Sequence, residues 1–104
     1  MLDKKQRMNY LLDFYENLLT DKQQKIMDYY YKEDLSLNEI AEIQGISKAA
    51  VHDLIHRCNL ILEDYESKLK LAEKYELRQG LYQQLLNIND STVHLLVNQC
   101  IETE

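Results

Sequence analysis

No proline interrupts these 104 residues, and glycine occurs only at positions 45 and 80. A chain with so few breakers has almost no means of making the repeated tight turns of a sheet protein. The abundant Leu, Ile, Glu, Lys, Gln and Asp then point to an all-α fold with short connections. At this length we expect one helical domain over residues 1–104, with a core adequate but not generous. It divides into a helix-turn-helix at 20–59 and a C-terminal helical extension at 60–104.

The helix boundaries are written in the punctuation. Met8, Leu11, Leu12, Phe14, Tyr15, Leu18 and Leu19 follow the three-to-four spacing of one buried stripe, which predicts a helix over 3–19. Thr20 with Gln23 three residues on is a capping box, so a second helix runs from Asp21 to Lys32 with Ile26, Tyr29 and Tyr30 inward. Ser36 with Glu39 repeats the device for a short helix from Leu37 to Gln44 that buries Leu37, Ile40 and Ala41. Gly45 stops it at a position that often needs positive φ. Ser47 caps the next helix, and no strong breaker follows until the turn at "NIND". Val51, Leu54, Cys58, Ile61, Tyr65, Ala72, Tyr75, Tyr82 and Leu86 fall near the a and d places of a heptad there. The pattern predicts one long helix or two nearly continuous ones ending near Asn87, with Gly80 as the place for a kink. Asp90 or Ser91 caps a short last helix over about 91–101.

The functional signal lies across Gly45. A helix-turn-helix needs a small residue where its helices touch, a glycine in the turn, and apolar residues that seat the second helix on the first. Ala41, Gly45, Val51 and Leu54 stand at those places, with Ile40 and Ile46 completing the core. Such a unit lays its second helix in a major groove, with residues near that helix's N-terminus against base edges. The outward positions are Ser47, Lys48, Ala49, His52, Asp53, His56 and Arg57. Ser47 and Lys48 sit where free backbone amides can hold a phosphate, and Arg57 can hold a second.

Charge argues against tight binding. The chain carries a net charge of -6, and the residues after 59 hold four basic and eight acidic side chains. Histidine is largely neutral near pH 7, and Asp53 repels phosphate. Affinity for duplex should therefore be weak and salt-dependent.

Other patterns have plainer readings. "HDLIH", His52 to His56, resembles the HExxH zinc signature, but aspartate replaces glutamate and no third ligand is marked, so no metal site is expected. The eight tyrosines, three of them at 29–31, read as rings shared between core and rim. The run from Glu63 to Glu76 reads as a solvated helix face with pairs such as Glu66–Lys70. Cys58 and Cys100 read as reduced thiols. No phosphate-cradling glycine loop and no nucleophilic triad is present, so neither an enzyme activity nor a cofactor is expected. The N-terminal "MLDKKQRMNY" lacks the apolar core of an export signal and no segment is long and apolar enough to span a bilayer, which predicts a cytoplasmic protein without a membrane partner.

Leu19 to Leu69, with "SLNEIAEIQGIS" at its centre, resembles region 4 of bacterial sigma factors. Over residues 7–85 the stretches "NYLLDFYENLLTDKQQ", "DYYYKEDLSLNEIAE" and "ILEDYESKL" resemble the YlxM-like family of helix-turn-helix proteins. That resemblance implies a transcription-regulatory or accessory role connected with the signal recognition particle pathway, and no enzyme activity. Ala49, Ala50 and "AVHDLIH" depart from the polar, basic helix such readers carry. Two functions follow as expectations. One is a DNA- or RNA-binding regulator. The other is an acidic helical adaptor that docks on a protein such as the particle's GTPase, steered by its charge. Tyr65, Leu69, Ala72, Tyr75 and Tyr82 form a stripe too apolar to leave wet, which predicts a homodimer.

Overall fold

The computed structural model describes residues 3–104. Met1 and Leu2, the first two residues of the segment read above against an export signal, lie outside them. Six α-helices follow one another: α1 (Lys4–Tyr15), α2 (Asp21–Met27), α3 (Leu37–Gln44), α4 (Lys48–Leu69), α5 (Leu71–Leu86) and α6 (Ser91–Glu102). The described residues contain no strand, and no helix among them is long and apolar enough to cross a membrane.

The helix starts are set by side-chain caps. Thr20 and Ser36 each accept from the backbone amide three residues on, at 3.2 and 3.1 Å, while Gln23 and Glu39 reach back to the cap residue's own amide, at 3.0 Å in both cases. Asp3 and Gln6 make the same reciprocal pair at the start of α1. Ser47 accepts from Ala50 N–H at 3.0 Å, and Asp90 from Thr92 and Val93. Each satisfies amides that a helix start would otherwise leave without partners.

Two helix ends depart from the expected geometry. Tyr15 closes α1, and a 3-10 turn, Glu16–Leu18, tightens the chain before Leu19. The tighter turn carries Leu18 out of the expected stripe and leaves it exposed. The second helix does reach Lys32, but its last five residues, Asp28–Lys32, form a π-helical turn. The extra residue rotates Tyr31 inward, where it is buried, and leaves Tyr29 and Tyr30 half-buried beside it. Asn9 donates to the carbonyl of Tyr31 at 3.0 Å.

The chain divides into two compact units, one ending at Ala72 and the other spanning Glu73–Glu104. The division does not fall at 59–60, because α4 continues to Leu69 with Leu62 and Glu66 still inside the first unit. Leu11, Leu12 and Tyr15 of α1, Ile26 and Met27 of α2, Ile40 of α3, and Val51, Cys58 and Leu62 of α4 are fully buried in its core. The buried line of α4 runs Val51, Ile55, Cys58, Leu62, Glu66. Leu54, Ile61 and Tyr65, placed in the seam by the heptad reading, flank it and are half-buried. Arg7 of α1 grips Glu63 of α4 in a bidentate pair, at 3.0 and 3.2 Å.

The break after α4 comes at Lys70, not at Gly80. Lys70 adopts left-handed backbone, φ 57, with its amide bonded to the Glu66 carbonyl at 2.9 Å. A buried polar cluster caps the restart. The Tyr15 hydroxyl donates to the Glu66 carboxylate at 2.5 Å and accepts from Leu71 N–H at 3.0 Å, while Ala72 N–H donates to the same carboxylate at 3.0 Å. Burial and the Glu66 bond together raise the Tyr15 hydroxyl's pKa above the ordinary phenol value. Glu66 is therefore not the partner of Lys70 on a wet helix face; the pair on that face is Asp64–Lys68, at 3.0 Å.

The residues of the expected dimer stripe are not equally exposed. Tyr65 stacks on Tyr15 with ring centres 5.9 Å apart, Ala72 is buried, Tyr75 and Tyr82 are half-buried, and only Leu69 is exposed. Cys58 is buried and free, its thiol pushed up to about 11 by desolvation, and Cys100 is exposed and free.

The two glycines should respond oppositely to alanine. Gly45 sits at φ 65 and Gly80 inside α5, and an added Cβ at either would touch nothing within 4 Å. Backbone alone decides the sign. Gly45→Ala should lower stability by about 1 kcal/mol, and Gly80→Ala should raise that of its helix by about 0.5–1 kcal/mol. Urea unfolding of both variants checks this, with equal signs counting against the assignment.

Candidate nucleic-acid interface

The turn between α3 and α4 is made by three residues. Gly45 and Ile46 both return their amides to the Ala41 carbonyl, which ends α3 at the only glycine with positive φ among the described residues. Ser47 then restarts the helix in extended backbone. Ile40 and Val51 are fully buried, so α3 and α4 are held together by side chains on either side of the turn. Ala41, Ile46 and Leu54 are half-buried around them.

That seating decides what α4 shows to solvent. Ser47, Lys48, Ala49, His52, Asp53, His56 and Arg57 are all exposed. They occupy the first three turns of α4, opposite Val51, Ile55 and Cys58. Lys48 and Arg57 make no ion pair among the described residues, whereas Arg7, Lys32 and Lys68 are each bound to a carboxylate. Two exposed cations without a carboxylate partner are available to phosphate at no cost of breaking a pair. His52 lies 3.8 Å from Asp53, whose carboxylate is a repulsive element on the same face. No group of three or more His, Cys, Asp or Glu among the described residues is arranged to hold a metal ion.

Sequence reading missed a cation beside this face. Lys22, in the first turn of α2, lines a cleft of about 310 Å³ with Arg57, Ile46 and Asp53. It too makes no ion pair among the described residues. No local pattern in the sequence marks Lys22, because its closeness to Arg57 exists only once α2 has packed on α4.

The chain is similar to proteins of established family membership. The family described as "Putative helix-turn-helix protein, YlxM / p13 like" matches residues 2–100. A UPF0122 protein of Shouchella clausii is 55% identical over 85 residues, covering 82% of this chain and 78% of that protein. One from Halalkalibacterium halodurans gives the same figures. A UPF0122 protein of Bacillus thuringiensis is 48% identical over 95 residues, covering 91% of this chain and 86% of its own length. Matches of that extent and identity, together with six helices and a glycine turn between α3 and α4, establish that this chain belongs to the UPF0122 family of YlxM/p13-like helix-turn-helix proteins.

Proposed function

We propose that the protein is a nucleic-acid-binding regulator that sets α4 in the major groove of a duplex, with Lys48 and Arg57 on phosphates and His52 and His56 toward base edges. The single observation that carries this reading is the exposure of Lys48 and Arg57, without ion-pair partners among the described residues, on a helix seated by Val51. Lys22 adds a third phosphate contact beside Arg57. The tie to the signal recognition particle pathway enters through the family resemblance. The test is fluorescence anisotropy of a labelled mixed-sequence duplex titrated with the full chain at two salt concentrations, against Lys48→Glu and Arg57→Glu. Failure of both substitutions to weaken binding would overturn the reading.

Self-association belongs to the same proposal, through a different surface from the one read off the heptad. In the unit Glu73–Glu104, Leu77, Leu81 and Leu85 recur every fourth residue on one face of α5, and Leu77 is 64% and Leu81 57% exposed. Leu95 and Leu96 of α6 are also exposed, and Val97 is the one deeply buried side chain of the unit. The unit closes on itself through polar contacts: Arg78, Gln79 and Tyr82 all donate to the Glu104 carboxylate, at 2.5, 3.0 and 2.7 Å. Apolar surface left outside so small a core favours a second copy over water. Two copies would bring two α4 helices to one duplex. Sedimentation at micromolar concentration should show a dimer that Leu81→Glu converts to monomer, and a strict monomer in the unaltered chain would remove this part of the proposal.

A further inference from the structure

On the other flank of α4, facing α1, lies a cleft of about 250 Å³ that belongs entirely to the first unit. Its floor is apolar, from Leu37, Ile55 and the buried ring of Tyr31. Tyr30 stands edge-to-face against Tyr31, with ring centres 4.9 Å apart, and forms a half-buried aromatic wall. One polar group is set into this lining. Asn59 is 8% exposed, and its Oδ1 accepts from the Tyr31 hydroxyl at 3.0 Å. That bond fixes the amide and leaves its Nδ2, which has no partner among the described residues, as the end free to donate.

The rim has a different character. Lys4 stands there, without an ion pair among the described residues, together with His52 and His56. Lys5 is also at the rim, but its ammonium is paired with Asp34 and lies 5.9 Å from the centre of the Tyr30 ring. Asp34 is thus matched by Lys5, and His52 lies 3.8 Å from the Asp53 carboxylate. No carboxylate lines the cleft among the described residues, and Lys4 is the lining lysine without an ion pair there.

Apolar walls, one oriented amide and a cation at the mouth together describe a ligand that is flat, has a hydrogen-bonding edge and carries an anionic group. A bare phosphate or an aliphatic carboxylate would leave the aromatic wall without a flat partner. The volume, about 250 Å³, falls just below the roughly 300–1,000 Å³ usual for small-molecule pockets, which suits no more than one nucleotide. We propose that this cleft binds a single nucleoside phosphate, with its base against Tyr30 and Ile55, the base edge on Asn59 Nδ2, and the phosphate at Lys4 and His56. Bases stack on aromatic side chains and pair with asparagine amides by general chemistry. The ligand can be a free nucleotide or an unpaired nucleotide of a strand. The cleft shares His52 and His56 with the face proposed for the duplex, whereas Lys48 and Arg57 lie outside it and separate the two readings.

Amide-resolved NMR titration of the full chain tests this with four probes: AMP, adenosine, inorganic phosphate and a short single-stranded oligoadenylate. AMP should shift the Tyr30, Ile55 and Asn59 resonances, with adenosine and phosphate each weaker by about fivefold or more. Lys4→Ala and His56→Gln, both at exposed positions, should each weaken AMP by a few-fold, about fivefold at most. Lys48→Glu should leave AMP binding unchanged while it lowers duplex affinity, so the two readings fail separately. Tighter binding of the oligonucleotide at the same residues identifies a strand as the source, and AMP binding without it identifies the free nucleotide. The proposal is overturned if neither AMP nor oligoadenylate moves these resonances, if phosphate alone matches AMP, or if both rim substitutions leave binding unaltered.

Discussion

Tyr15→Ala should cost about 3–5 kcal/mol, the range for truncating a fully buried aromatic side chain. The ring is 0% exposed, sits among Leu11, Leu12 and Leu62 in the core, and stacks on Tyr65. Against a typical total stability of about 5–15 kcal/mol, that loss takes about a fifth of the folding free energy at the least and can take all of it. Tyr15→Phe separates the hydroxyl from the ring. It keeps the packing but deletes the donor to Glu66 and the acceptor of Leu71 N–H. A hydrogen bond to a carboxylate is worth about 1.5–3 kcal/mol, so the Phe variant should lose about 2 kcal/mol. Urea unfolding with an unchanged slope would give both values. A Phe variant as stable as the unaltered chain would mean that the buried cluster contributes nothing net. In that case Lys70 would mark the break without being stabilised there by Tyr15.

The second large effect is on nucleic-acid affinity. With Lys22, Lys48 and Arg57 on phosphates, about three counterions are released per chain, and affinity should fall with a log–log salt slope of about -2.7. Between 50 and 200 mM salt that is a loss of about 40-fold. Lys48→Glu or Arg57→Glu should each weaken binding by about tenfold or more and flatten the slope by about one. A dimer would steepen the slope of the unaltered chain to about twice that figure. Asp53→Asn should act in the opposite sense, because it removes the carboxylate beside His52 and in the cleft shared by Lys22 and Arg57. If the Glu variants bind a duplex as tightly as the unaltered chain, a protein partner becomes the better account of the exposed surface.

What could be read from the sequence was local. The caps at Thr20, Ser36, Ser47 and Asp90 each involve residues no more than three apart, so their hydrogen bonds follow from spacing alone. Gly45 was legible for the same reason: positive φ after a helix is a property of one residue. The outward side of α4 followed from Val51 and the helical period. The parts that escaped depend on contacts between distant residues. Glu66 resembled a surface glutamate with a lysine four residues on, yet its partner, Tyr15, is 51 positions away. The break at Lys70 has no glycine or proline to announce it, since its caps come from α1 and from the preceding turn. The π-helical turn at Asp28–Lys32 shifted the tyrosines by one residue and put Tyr31, not Tyr30, inside. Lys22 and the cleft around Asn59 exist only because separate helices meet.

Lys70 holds a left-handed conformation that a residue with a side chain pays about 1–2 kcal/mol to adopt. The compensation comes from the far end of the first unit, through Tyr15. The opening turn of α5 is therefore conditional on α1 having already docked against α4. During refolding, protection of the Leu71 and Ala72 amides against hydrogen exchange should appear only after that docking. The N-terminal helix thereby sets the moment at which the chain beyond residue 70 acquires its helical start.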